Sequence, residues 1–218
     1  MSDVFDLLAK GRLADLDAAL RAAPALAASR NASGASLLAW AYYVGRPDAV
    51  ALIRPRLTDL DPHDAIIVGD ADRVRESLSA GWDANALSPD GFTPLGLAAF
   101  FGRPEIFDLL LPVTRDVSEQ ANNSQKVAAI HAATAMRNAG MVEKLLLAGA
   151  EPDQAQADGF TPLHVAAQHG DAAIVGLLLL FGSNPRKHNV QGNDAITHAR
   201  MGGHEWLAER LAQVQPAG

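Results

Sequence analysis

Residues 158–167 read Asp158-Gly159-Phe160-Thr161-Pro162-Leu163-His164-Val165-Ala166-Ala167, and the first six residue types also stand at Asp90-Gly91-Phe92-Thr93-Pro94-Leu95. The identical hexapeptides lie 68 residues apart, two units of 33 with two residues over. A unit between them should begin near residue 128, and Ile130-His131-Ala132-Ala133 precedes Leu163-His164-Val165-Ala166 by 33. Val142, Leu145, Leu146, Gly149 and Pro152 likewise recur 33 later as Val175, Leu178, Leu179, Gly182 and Pro185. So many matches in one register mark an internal repeat, which governs the reading of everything else.

The unit predicts two short helices. Thr161 is a good N-cap, and Pro162 follows at the first helical position, where its missing N–H costs nothing. The first helix should end at Gly170, a residue type that accepts a left-handed turn. The second carries Ile174, Val175, Leu178 and Leu179 on one stripe and should stop at Gly182, with Pro185 just beyond. Two helices this short cannot bury such a stripe alone, so neighbouring units must cover it.

Thr-Pro-Leu-His-x-Ala-Ala, a glycine three residues on, a leucine run and then Gly-Ala-x-Pro resemble the ankyrin repeat over nearly the whole chain. The resemblance implies an all-α, ankyrin-like helix-turn-helix solenoid with short β-hairpin fingers and a concave face used for protein binding. The pattern extends to about seven helix pairs, with turns at Gly11, Gly45, Gly69, Gly102, Arg137, Gly170 and Gly203. One domain, 1–218, is expected: a degenerate pair over about 1–33, repeats over about 34–187 and a capping repeat over about 188–218. Spacings of 34, 24, 33, 35, 33 and 33 contain two departures. The 24 leaves too few residues near 54–60 for a finger, and the 35 reflects a long polar loop from Arg115 to Lys126.

Composition agrees with a folded, water-soluble chain: 218 residues, 49% hydrophobic and 20% charged. With no cysteine, disulfides, zinc-thiolate sites and thiol nucleophiles are excluded. The acidic start, Ser2-Asp3-Val4-Phe5-Asp6, is unlike a signal peptide, and no apolar run approaches the roughly 20 residues of a membrane span, so a cytoplasmic address is expected. A formal charge of −7 disfavours nucleic acid and anionic membranes as partners. Alanine- and arginine-rich helices suggest a bacterial source.

Catalytic motifs are missing: there is no Gly-x-Ser-x-Gly, no phosphate-binding loop, no Gly-x-Gly-x-x-Gly and no His-Glu-x-x-His. No enzyme, cofactor or metal is expected. His63, His131 and His164 share one repeat position, so a whole layer separates them and they cannot share an ion. The resemblance implies that they tie adjacent fingers together. Asp59-Leu60-Asp61-Pro62-His63-Asp64 is acidic but lacks the glycine and distal glutamate of a calcium loop. Asp61 is instead expected to cap a helix that Pro62 begins.

The resemblance also implies that the two residues before each inter-helix turn, and the residue before Thr-Pro, line the groove. The pairs are Tyr43-Val44, Ile67-Val68, Phe100-Phe101, Ala135-Met136, Gln168-His169 and Met201-Gly202, eight of them bulky and apolar. Exposed apolar surface on that scale marks a partner site. The candidate site is Phe100 and Phe101 at the centre, Tyr43, Phe92, Met136 and Phe160 around them, and Gln168 and His169 as a polar end. The competing reading is that some of these side chains fill the core, Ile67 and Val68 above all. Trp82 is expected as a plug over the longer helices, and Trp40 and Trp206 as core or cap residues. The expected function is a non-enzymatic scaffold or adaptor for a protein partner, the chain itself being a monomer or weak homodimer. The alternatives are an inhibitor or immunity-type protein that blocks an enzyme, self-association through the groove, and, least favoured, an enzyme or small-ligand binder.

Overall fold

The computed structural model describes residues 3–214, and their backbone divides into two compact units, one of residues 3–82 with 88–91 and one of residues 83–87 with 92–214. The first unit holds α1 (Val4–Ala9), α2 (Leu13–Ala22), α3 (Leu37–Tyr43), α4 (Val50–Ile53), α5 (Pro62–Val68) and α6 (Ala71–Ser79). The second holds α7 (Pro94–Phe100), α8 (Pro104–Leu110), α9 (Ala129–Ala135), α10 (Ala139–Leu147), α11 (Pro162–Gln168), α12 (Ala172–Leu180), α13 (Ala195–Met201) and α14 (Glu205–Gln213). The described residues thus form seven helix pairs, joined by short 3₁₀ turns and irregular loops. None of these helices is long and apolar enough to cross a membrane.

Each pair turns where the period places it. Gly11, Gly45, Gly69, Gly102, Gly170 and Gly203 all have positive φ, and Arg137 occupies the same turn at φ 56°. A side chain in this left-handed region crowds the following carbonyl at a cost of about 1–2 kcal/mol. Arg137 offsets part of that by pairing with Asp171 at 3.3 Å, a contact open to solvent and worth at most about 1 kcal/mol. Arg137→Gly is therefore expected to stabilise the fold by up to about 1 kcal/mol, the gain being held down by the glycine's unfolded-state entropy. A urea midpoint at or below that of the parent would show that the Asp171 pair outweighs the backbone strain.

Within the second unit the first helices pack in series, α7 on α9, α9 on α11 and α11 on α13, with the second helices behind them. The first helices approach closely because their facing residues are small: Ala98, Ala99, Ala132, Ala133, Ala166, Ala167 and Ala199 are all buried. Bulk lies one layer back, where Ile106, Phe107, Leu110, Val142, Leu145, Ile174 and Leu178 are closed from solvent. In the first unit α3 contacts both α1 and α5. Ile67 is buried there, as its position beside the shortened connection suggested.

The fingers are simpler than hairpins. Among the described residues there are only two isolated bridges, Arg30 with Ser36 and Gln120 with Ala128. Elsewhere one backbone bond closes the loop, from Gln156 N to Phe160 O at 2.9 Å and from Asn189 N to Asn193 O at 2.9 Å. Loops this short leave no room for a second rung. They gain order sideways instead: Ala157 N donates to Gln125 O and Val190 N to Asp158 O, each at 3.0 Å, so successive fingers are stitched at their tips.

The long polar stretch 115–126 is anchored throughout. Arg115 contacts both Asp83 carboxylate oxygens at 2.8 and 2.6 Å, which holds the Asp83 carboxyl at about 2. Further along, Gln154 donates to Ser118 O at 2.7 Å and Gln120 donates to Ala155 O at 2.8 Å. Near 54–60 there is no finger, as the spacing required: a 3₁₀ turn at Arg54–Arg56 runs through Leu57 and Leu60 straight into α5.

Candidate protein-binding face

The two repeat positions that precede each inter-helix turn bring a set of side chains to the ends of α7, α9, α11 and α13. Phe100 is 46% exposed, Met136 50% and Met201 62%; Ala135, Gln168 and His169 are exposed with them. Phe101 is half-buried, and its ring meets that of Phe100 edge-on at 5.1 Å. Phe101 thus leans inward and supports Phe100, unlike Met136 and His169 at the same repeat position, which stay exposed. From α7 to α11 the surface passes from aromatic through thioether to amide and imidazole, and Met201 on α13 returns it to thioether.

The remaining candidates are placed differently. Phe92 is half-buried at the start of the second unit. Phe160 is also half-buried, packed edge-on against His164 at 5.9 Å and His198 at 5.1 Å. Tyr43 belongs to the first unit, where its hydroxyl donates to Asp90 at 3.0 Å. Burial and the nearby Asp90 carboxylate push that hydroxyl's pKa well above the ordinary tyrosine value.

His131 and His164 tie fingers together. Each Nδ1 accepts a backbone N–H, from Ala128 at 3.1 Å and Thr161 at 3.0 Å. That leaves each Nε2–H to donate to the next finger, to Gln154 O at 2.8 Å and Asn193 O at 3.1 Å. Thr93 caps α7 through Gly96 N at 3.1 Å, whereas the Thr161 hydroxyl turns to His164 Nδ1 at 2.8 Å. His63 takes neither role in the same way. Its Nδ1 lies 3.0 Å from Asp61, which also caps α5 by accepting His63 N, and its ring meets Trp82 at 5.4 Å. Asp64 goes inward and accepts the Ser36 hydroxyl at 2.6 Å, and burial raises its carboxyl pKa.

Two groups escaped the sequence reading. Trp206 is 54% exposed, because its repeat position is the outward side of the second helix, where α10 and α12 carry Gly140 and Ala173. His198 is buried beside His164, although it stands where the preceding repeat has Val165, so no motif signals it. Among the described residues no group of three or more histidines and acids is arranged to hold a metal ion.

The comparisons with known proteins bear on the same segment. A family model described as ankyrin repeats (3 copies) matches residues 62–155 and 130–216. The chain is 35% identical over 106 residues to the ARF GTPase-activating protein GIT2 of Rattus norvegicus, covering 48% of this chain and 14% of that protein. It is 33% identical over 122 residues to the nuclear factor NF-kappa-B p105 subunit of Gallus gallus, covering 55% and 12%. The ankyrin repeat protein nuc-2 of Neurospora crassa is 34% identical over 125 residues, covering 56% and 11%. The chain thus spans about one-eighth of the length of these relatives, and the likeness concerns the repeat segment alone. Helix pairs of one period, left-handed turns at each expected position, histidine-tied fingers and a family model over more than half the chain lead to one conclusion: this chain belongs to the ankyrin-repeat family.

Proposed function

We propose that this chain is a non-enzymatic scaffold or adaptor that recognises a protein partner through the first-helix face of its second unit. Ankyrin repeats are protein-interaction modules. The observation that carries the choice of face is the run of exposed large side chains at the two positions before successive turns, Phe100, Met136 and Met201, with Gln168 and His169 between the two methionines. Apolar side chains held open to water on successive helices lose solvent when a partner covers them, and aromatic residues are common anchors in such contacts. Phe92, Phe101 and Phe160 back this face from within the unit, and Tyr43 offers its ring separately in the first unit.

The experiment is capture from native extract with the parent chain, a Phe100→Glu/Met136→Glu variant and a Leu147→Glu/Leu180→Glu variant. Both pairs are well exposed, so helical content should be unchanged in each. A partner that binds the parent and the Leu variant should bind the Phe100/Met136 variant at least about 30-fold more weakly, the loss of a central anchor. Equal binding by all three rules this face out. Sedimentation of the parent alone separates self-association, because a dimer built on this face would dissociate in the same variant.

A further inference from the structure

Two buried imidazoles meet between the last two repeats of the second unit. His164 on α11 and His198 on α13 are 1% and 2% exposed, and their ring centroids lie 5.2 Å apart at 86°. Phe160 packs against both rings. One layer earlier the same two positions hold His131 and Val165, so the pair is particular to this junction.

The hydrogen bonds leave room for only one proton on each ring. His164 Nδ1 accepts Thr161 N–H, and its Nε2–H donates to Asn193 O. His198 Nε2 accepts from the Asn189 amide at 3.1 Å, so its Nδ1–H points to Gln168 Oε1 at 3.3 Å. Asn189 shapes the finger that both rings touch. Its Oδ1 accepts Gln191 N and Asn193 N, each at 3.0 Å, and its backbone N donates to Asn193 O at 2.9 Å. A second proton on His164 would set N–H against the Thr161 N–H; on His198 it would set N–H against the Asn189 amide. Either event also places a cation about 5 Å from the other ring in a site closed to water.

We propose that the His164–His198 pair is an acid-operated latch on the last repeat: protonation of either ring releases the finger at 189–193, and with it α13 and α14, from α11. Gln168 loses its internal partner in the same step, so the polar end of the binding face is remodelled. That second consequence rests on the proposed binding face; the release does not.

The groups around the pair do not cancel this effect. Asp194 favours a charged imidazole, but it is already committed as the cap of α13 through Thr197 N and Oγ1, both at 2.8 Å. Lys187 is turned to Asp153 O at 2.7 Å, and His188, His169 and Asp158 are exposed. His204 lies over Gly170 on the far side of the turn. Burial lowers the pKa of both rings, His164 further by the neighbouring His198. The open state therefore binds protons first. The latch is fully closed above the ordinary histidine value of about 6.5 and weakens as pH falls below it.

The test is backbone hydrogen exchange on the full chain at pH 7.5 and 5.0, corrected for intrinsic rates. Residues 187–213 should lose protection at least tenfold at pH 5.0, while α9 and α10 keep theirs. The double variant His164→Gln/His198→Gln, whose side chains donate and accept but do not titrate, should hold the last repeat closed at pH 5.0. Equal loss in that variant, uniform loss across α7–α14, or no loss while both rings protonate overturns the proposal. If the double variant is already open at pH 7.5, imidazole titration of the parent by NMR decides: the titration of His164 and His198 must coincide with the opening, and an opening midpoint elsewhere refutes the latch.

Discussion

Phe107→Ala is expected to cost about 3–5 kcal/mol, the largest stability loss of any single side-chain truncation in the chain. Phe107 on α8 is the largest fully buried side chain among the described residues, flanked by Ile106 and Leu110 of its own helix, which are also closed from solvent. Truncation removes the ring's transfer free energy and leaves a cavity that neighbouring helices cannot fill without breaking their own repeat contacts. Leu178→Ala, at the corresponding depth in α12, should fall lower in the range of about 2–5 kcal/mol. The measurement is urea unfolding followed by far-ultraviolet circular dichroism, with the midpoint compared at unchanged slope. A loss below about 1 kcal/mol for Phe107→Ala would mean that α8 does not pack as described.

Gly202→Ala carries the second large effect, and its sign opposes local propensity. Gly202 follows α13 with ordinary φ −78° and ψ −3°, so alanine should gain roughly 0.5–1 kcal/mol there by restricting the unfolded chain. A Cβ at that position, however, would lie 2.0 Å from the carbonyl oxygen of Gln168 on α11 and 2.9 Å from its carbon. The obstacle is backbone, so α11 and α13 must separate, and overpacking of this kind costs about 1–3 kcal/mol or more. The neighbouring Gly203 gives the comparison. Its φ is +79° and the space around it is open, so Gly203→Ala should cost only the backbone strain of about 1–2 kcal/mol. Gly202→Ala should therefore be at least as damaging as Gly203→Ala. A stabilised Gly202→Ala protein would show that α11 and α13 stand farther apart than the structure has them.

The two glycines show where sequence reading reaches and where it stops. Gly203 was legible as a turn because it falls on the 33-residue period, and the same period located Arg137 as a turn without glycine. Gly202 sits beside it, yet its importance comes from a carbonyl 34 residues away that only the packing of α11 on α13 brings near. The candidate face divides in the same manner. The period correctly named which residues end each first helix, but not which of them stay in water. Phe100, Met136 and Met201 stay exposed, Phe101 leans inward, and Ile67 is buried at an equivalent position. Trp206 reversed expectation, and His198 went unsignalled, because aromaticity and hydropathy do not report which side of a helix a neighbouring layer covers.

The sequence alone determined the helix pairs, their turns and the cap at Asp61, because these depend on contacts within one period; the family resemblance added the finger ties of His131 and His164, whereas Thr161, expected as a cap, turns its hydroxyl to His164. Tertiary structure alone decided the exposure of the proposed face, the collapse of the fingers to single closing bonds, the inward turn of Asp64 to Ser36, and the meeting of His164 with His198. Each of those joins side chains from different layers. Stacking geometry sets such distances to within an ångström, and burial and hydrogen-bond energies change steeply over that scale.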